Sequence, residues 1–198
     1  METNKRIEFW FDFASTYSYL SAMRIEALAH QVGIAVDWRP FLLGPAFLAL
    51  GWNDSPFNIY PPKGRYMWRD LERLCDKYRL SFKHPGKFPR KGILAARLVC
   101  ANEDAHWVPD FVRAVFGANF AEDRDIGDRA VIAEILSALG LSAEDLIVAA
   151  EAPANKEKLR RRSEQAIELG LFGAPSFIVA GELFWGNDRL EDALAWLP

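Results

Sequence analysis

Apolar and polar positions alternate from Ile7 to Phe13, I-E-F-W-F-D-F, with Phe9, Phe11 and Phe13 at period two. That alternation predicts a strand. After Ala14 the period lengthens: Met23, Ile25, Leu28 and Ala29 fall on one face of a helix running from 15 to about 32. Gly33 is its predicted stop, because glycine takes the left-handed conformation at little cost. Ile34 to Phe41, I-A-V-D-W-R-P-F, alternates again and reads as a second strand, ended by Pro40. Strand, helix, strand over so short a stretch is a βαβ unit, with parallel strands and a right-handed crossover.

The pattern then stays helical for a long interval. Leu42 to Tyr60 is rich in Gly, Pro and Asn and predicts a short helix followed by an irregular loop. Met67, Leu71, Leu74 and Tyr78 recur at helical spacing within 64–78, and a loop is expected at 84–89. Further helices are predicted at 90–103, 108–120, 128–139, 142–151 and 154–169, with Asp128 and Ser142 as N-caps and Gly140 and Gly170 as C-terminal stops.

The end of the chain returns to alternation. Pro175 to Val179 reads as a strand, Ala180-Gly181-Glu182 as a tight turn and Leu183 to Trp185 as its hairpin partner. Gly186-Asn187-Asp188 opens a final helix from Arg189 to Leu197. The order βαβ, helices, ββα is that of an α/β protein with a thioredoxin-like fold interrupted by a large all-helical insertion. The corresponding domains are 1–43 with 170–198 for the thioredoxin-like part and 44–169 for the insertion. No repeat or linker marks an independent second domain.

Composition narrows the classes. At 198 residues, 51% hydrophobic and 26% charged, the chain is ordinary globular material. A net charge of -3 gives no electrostatic reason to expect nucleic acid or an anionic membrane as partner. No apolar run approaches a membrane span, and the basic residues near the N-terminus are not followed by the apolar segment of an export signal. Cys75 and Cys100 lie in helical apolar patterns, so two buried free thiols and a reducing cytoplasm are expected. His30, His84 and His106 have no metal-ligand spacing, and no metal is expected.

In a thioredoxin-like fold the redox motif C-x-x-C opens the first helix. Ser15-Thr16-Tyr17-Ser18 stands there, with serine at both cysteine positions. Disulfide exchange needs a thiolate that attacks sulfur. The chain offers none at that place, so it is not itself a dithiol oxidoreductase, but the site can hold a thiol brought from outside. The first backbone N–H groups of a helix have no intrahelical partner and favour an anion. In Gly173-Ala174-Pro175-Ser176 a cis X-Pro bond is expected from the fold context, leaving the main chain of Ala174 to bond the backbone of a cysteinyl ligand beside Ser15. In Trp185-Gly186-Asn187-Asp188-Arg189 a second polar helix start can receive an amino-acid head group.

Three segments carry a family resemblance: F-D-F-A-S-T-Y-S-Y-L, G-W-N-D-S-P-F-N-I-Y-P-P-K-G-R-Y-M-W-R-D-L-E-R, and L-F-G-A-P-S-F-I-V-A-G-E-L-F-W-G-N-D-R-L. The chain resembles the 2-hydroxychromene-2-carboxylate isomerase family, which is grouped with kappa-class glutathione transferases and, more remotely, DsbA. The likeness covers essentially the whole chain, and F-G-x-P followed by W-G-N-D-R is its most specific part.

The resemblance implies glutathione as cofactor and a small conjugated aromatic substrate, and it makes a homodimer reasonable. It makes Ser15 the catalytic serine, whose hydroxyl bonds the glutathione sulfur. Ala174, with Pro175, binds the tripeptide through its main chain, and Trp185, Gly186, Asn187 and Asp188 hold the γ-glutamyl end. Lys63 suits the glycyl carboxylate, and Asn53 and Asn58 shape the junction between tripeptide and substrate. Thr16 stands where proline is common in the family. Phe47 and Phe88 stand where some members carry Lys and Tyr facing the substrate, which leaves the substrate open. Of the remaining residues, Asp12 is expected to bond locally at the strand end, Tyr17 and Tyr19 fit a border of the thiol and plain packing equally well, and Trp68 and Trp107 are expected to join the core. The run Lys156, Glu157, Lys158, Arg160, Arg161 and Arg162 is expected to form a solvated helix face.

Overall fold

Phe9, Phe11 and Trp10 are fully buried on the two faces of one strand, and the molecule is layered around that strand. The computed structural model describes residues 5–196. Strand β1 (Arg6–Phe11) pairs in parallel with β2 (Ala35–Pro40), in the register Phe9 with Trp38. On its other edge β1 pairs antiparallel with β3 (Ser176–Val179), which forms a hairpin with β4 (Glu182–Trp185). The sheet order is β2-β1-β3-β4. The hairpin turn has positive φ at both Ala180 (51°) and Gly181 (84°), the handedness that suits the twist of two joined strands.

The α/β reading and the thioredoxin-like order hold. Between β1 and β2 the expected single helix is instead two, α1 (Thr16–Ala22) and α2 (Ile25–Gln31). At the break the Arg24 N–H bonds the Ser21 carbonyl, one residue short of helical spacing. Asn187, from the far end of the chain, sits in the bend, and its Oδ1 accepts from Ser21 Oγ (3.0 Å) and Arg24 Nη1 (3.3 Å). β1 also ends earlier than expected, at Phe11 rather than Phe13, because the Asp12 carboxylate and carbonyl turn the chain.

Between β2 and β3 the described residues are helical: α3 (Leu43–Ala49), α4 (Pro56–Ile59), α5 (Pro61–Tyr78), α6 (Ile93–Ala101), α7 (Val108–Phe120), α8 (Arg129–Ala138), α9 (Ala143–Glu151) and α10 (Pro153–Glu168). The expected loop before Tyr60 contains the short α4. α5 begins earlier than its apolar period shows, since proline is well tolerated in a first helical turn. Asp128 caps α8 through its side chain, whereas the Ser142 hydroxyl turns to Asp145 and leaves α9 without a side-chain cap. The final segment is a 3-10 turn, Asn187–Arg189, followed by α11 (Leu190–Ala195); Leu197 lies outside the described residues.

One core cluster joins the sheet to the helices: Phe9, Phe11 and Phe13 pack with Tyr19, Leu98, Phe116 and Phe120. The opposite sheet face carries Trp10 with Phe41, closed by Ala166 and Leu171 at the end of α10. Cys75 and Cys100 are buried free thiols, and Trp68 and Trp107 pack against the main core. Arg162 departs from the solvated face expected of α10. It pairs with Glu103 at 2.7 Å and lies 5.8 Å from the Trp10 ring, since α10 turns that side toward the sheet.

Candidate active site

At the C-terminal end of β1 the chain must stop pairing and start a helix, and Asp12 makes the turn. Its Oδ1 accepts the Ala14 N–H at 2.8 Å, and its carbonyl accepts the Ser15 N–H at 2.9 Å. Ser15 then has extended dihedrals (φ -80°, ψ 119°), and its Oγ accepts the Ser18 N–H at 3.1 Å, which makes it the N-cap of α1. The N–H groups of Thr16 and Tyr17 begin the helix and have no partner within it. α1 has only seven residues, so a thiolate here would be stabilised by these local donors rather than by a long helix dipole.

Ser15 Oγ also donates to the Ala174 carbonyl at 2.9 Å. The Ala174–Pro175 bond is cis, as expected. The Ala174 carbonyl is thus engaged by the catalytic-serine candidate itself and keeps its second lone pair for another donor. The Pro175 carbonyl accepts the Gly186 N–H at 2.9 Å, so Ser15, Ala174, Pro175 and Gly186 form one connected set.

Trp185 and Asp188 flank that set. The Trp185 side chain is 53% exposed and stacks edge-on with Phe172 at 4.8 Å. A Cβ on Gly173 would come within 2.4 Å of the Trp185 Nε1, so glycine there lets the indole lie against the main chain before the cis bond. Gly186 has φ 108°, and a Cβ on it would meet Asp188 Oδ1 at 2.5 Å. Asp188 is exposed, and Arg189 bonds it at 3.1 Å. Asn187 differs from its neighbours: it is 3% exposed, and its carbonyl oxygen is committed to Ser21 and Arg24.

The other residues named from the sequence lie on two adjoining segments. On the first, Asn58 Nδ2 donates to both oxygens of Asp54 (3.2 and 3.1 Å), Asn53 is exposed, and the Lys63 ammonium lies 4.9 Å from the Tyr60 ring. Phe47, on α3, packs on Trp52 at 5.8 Å. On the second, Phe88 meets Trp68 edge-on at 4.8 Å and precedes a cis bond to Pro89. The polar and ring contacts of these residues are made within their own segments and with α5, not with Ser15.

Several residues to which the sequence assigned no site role also lie around the Ser15 turn. Tyr17 OH donates to Asp70 on α5 at 2.9 Å, and its ring lies 6.3 Å from Phe57. Burial, then the bond to Asp70 and the charges of Asp70, Tyr66 and Asp188, pushes the Tyr17 hydroxyl well above the usual phenol range, so it stays a neutral donor. Asp12 lies 8% exposed; burial raises its pKa, and its two N–H bonds oppose that rise. On the other side, Asn119 Nδ2 donates to the Phe13 carbonyl at 3.0 Å, and Arg90 Nη1 reaches the Asn119 carbonyl at 3.2 Å. A buried Asn on an otherwise apolar helix face was the available signal for that link.

A helix start facing the carbonyl before a cis proline, on a four-stranded sheet of this order, defines a thioredoxin-like fold. The family model described as a DSBA-like thioredoxin domain matches residues 6–196. The chain is 33% identical over 188 residues to a 2-hydroxychromene-2-carboxylate isomerase of Sphingobium xenophagum, covering 94% of this chain and 95% of the relative. It is 26% identical to the Homo sapiens glutathione S-transferase kappa 1 over 94% of this chain and 88% of the relative. A solved structure of 2-hydroxychromene-2-carboxylate isomerase superposes with a TM-score of 0.87 at 25% identity, covering 97% and 95% of the two chains. Within the DsbA-like class the chain belongs to the 2-hydroxychromene-2-carboxylate isomerase family, with kappa glutathione transferases as further relatives. Among the described residues no helix is long and apolar enough to cross a membrane.

Proposed function

We propose that this protein is a glutathione-dependent isomerase of conjugated aromatic intermediates of the 2-hydroxychromene-2-carboxylate type. The observation that carries the reading is the pair made by Ser15 Oγ and the Ala174 carbonyl at 2.9 Å, beside a cis proline and with serine at both 15 and 18. The residues fit the tripeptide. The Ala174 carbonyl retains a lone pair for a cysteinyl N–H, and exposed Trp185 and Asp188 flank the connected set for a γ-glutamyl group. Lys63, exposed at the start of α5, suits a carboxylate.

When bound, glutathione supplies a thiolate that adds reversibly to a conjugated carbon, so that a double bond becomes a rotatable single bond until the thiolate leaves. Ser15 redirects its hydroxyl proton from the Ala174 carbonyl to the sulfur and so favours the ionised form. A free thiol titrates at about 8.5, and each unit of lowering takes about 1.4 kcal/mol of differential stabilisation. A charge-assisted bond together with the Thr16 and Tyr17 N–H groups is adequate for about one unit. Tyr17 stays protonated and serves as a donor rather than a base. Phe47 and Phe88 supply the apolar, aromatic lining for the substrate. Two buried free thiols and a requirement for reduced glutathione suit a reducing cytoplasm.

The names of the kappa-class relatives favour a second reading, a transferase that releases the adduct. Product analysis separates the two: an isomerase turns over without consuming glutathione, and a transferase consumes it stoichiometrically. Titration calorimetry with reduced glutathione tests both, and no binding would overturn them together in favour of a non-catalytic DsbA-like binding protein. A turnover screen over chromene carboxylates and related enones then identifies the substrate.

A further inference from the structure

Among the described residues, Asp12 is a buried acidic side chain beside Ser15 for which the proposed chemistry has no use. It bridges two parts of the molecule. Oδ1 accepts the Ala14 N–H at 2.8 Å, within the turn that ends at Ser15. Oδ2 accepts the Leu43 N–H, also at 2.8 Å, at the first residue of α3, which carries Phe47. α3 has no side-chain cap of its own at Leu42, so Asp12 takes that place from across the fold. Burial raises the Asp12 pKa and those two N–H groups oppose the rise. A carboxylate is costly to bury, and holding two segments in register is what this one gains in return.

We propose that Asp12 is a positioning residue, whose carboxylate sets the Ser15 turn and α3 in one register and so sets Phe47, as substrate lining, relative to the serine. This rests on the glutathione-dependent reading for its functional part, while the tie itself is a property of the free protein. Asparagine cannot replace the carboxylate, because its oxygen can take one N–H group while its NH2 faces the other. Misplacement by an ångström costs on the order of 100-fold in rate.

Two variants test the proposal. Asp12→Asn removes one of the two acceptor oxygens, and Leu43→Pro removes the second donor at a first helical position, where proline is tolerated, while the carboxylate remains. Both are expected to bind glutathione within about threefold of the parent and to lose about 30-fold or more in kcat. In the free protein, amide exchange at whichever of Ala14 and Leu43 faces the new NH2 group in Asp12→Asn, and at Ala14 in Leu43→Pro, is expected to quicken by about tenfold or more. A purely structural role would lower Tm and leave kcat of the folded fraction unchanged. Parental kcat in either folded variant, or parental amide exchange in Asp12→Asn, overturns the role of Asp12; if Asp12→Asn does not fold, Leu43→Pro decides alone. A parent that binds no glutathione overturns the reading beneath it, and the exchange measurement still decides the tie.

Discussion

Ser15 and Ala174 stand 159 residues apart in the chain and share a hydrogen bond of 2.9 Å, with the serine Oγ as donor and the carbonyl before a cis proline as acceptor. The same oxygen accepts the Ser18 N–H at 3.1 Å, so the hydroxyl is fixed as acceptor from the helix and donor to the Ala174 carbonyl. On the proposed reading, that hydroxyl proton would be offered to a bound thiolate in place of the carbonyl.

Replacing Ser15 by alanine removes that donor but leaves the main chain of Ala174, the Pro175–Gly186 link and the flanking Trp185 and Asp188. Ser15→Ala is therefore expected to keep glutathione affinity within about tenfold, since one hydrogen bond to a charged group contributes on the order of 1.5 kcal/mol. The bound thiol should titrate higher, and turnover should fall by about 100-fold or more. Thiolate absorbance against pH and steady-state kinetics check both. Turnover at the parent rate would remove Ser15 from the mechanism.

Gly173 and Trp185 give a second test. A methyl group on Gly173 would sit 2.4 Å from the indole nitrogen, which cannot stay where it is. The ring is exposed and can swing outward, so Gly173→Ala should fold normally, with Tm within a few degrees of the parent. Glutathione binding should weaken about three- to tenfold if the indole walls the γ-glutamyl end, and Trp185→Ala should weaken it by a similar factor. Calorimetry on both variants reads the effect, and unchanged affinity in the two would release Trp185 from that assignment.

The cysteines supply a third. Burial pushes the Cys75 thiol up to about 11; Cys100, also raised by burial, reaches about 11 with Arg162 opposing the rise. At pH 8 almost none of either is thiolate, and the thiolate is the reactive form. Native protein is expected to react slowly with Ellman's reagent, and guanidinium should release both thiols at once. Alkylation of native protein by iodoacetamide should leave glutathione-dependent turnover intact, unlike that of an enzyme working through C-x-x-C. Loss of turnover in proportion to labelling would mean that a cysteine of the chain takes part.

What could be read along the chain is what depends on near neighbours. Gly33, Gly140 and Gly170 end helices with φ of 69°, 74° and 78°, because a helix end needs that conformation whatever lies around it. The cis bond at Pro175 was legible only after the order of strands had placed it opposite Ser15. The break after Ala22 was not legible, since the polar group seated in it is Asn187, and nothing near Met23 announces a bend. Asp12 is the sharpest case. Its bond to Ala14 is local and was expected, but its bond to Leu43 depends on where the chain goes after β2. Asn58 and Lys63 were named by likeness, and their contacts in the free protein, with Asp54 and Tyr60, are short-range.

The Phe88 loop depends on the buried guanidinium of Arg90. Arg90 bonds the carbonyl and Oδ1 of Asn119 (3.2 and 3.3 Å) and the carbonyl and carboxylate of Asp123, while Asn119 holds the Phe13 carbonyl at 3.0 Å. Asn119→Ala deprives the Phe13 carbonyl of its donor in a buried place, at a cost of about 1–3 kcal/mol, and should lower Tm by roughly 3–8 °C. Asp123 adds a pH dependence of known sign. The Gly86 N–H, then Arg90 and Lys83, hold its carboxyl below the usual range. Its stabilisation is therefore present above the unfolded carboxylate pKa and is lost as pH falls through the lower, folded value. Arg90→Met removes part of that lowering, so the gap in Tm between parent and variant should be widest near neutrality and narrow as Asp123 is protonated. Melting curves from pH 7 down to about pH 3 read the gap. A gap that stays constant over that range would show that Arg90 holds the loop through the Asn119 and Asp123 carbonyls alone.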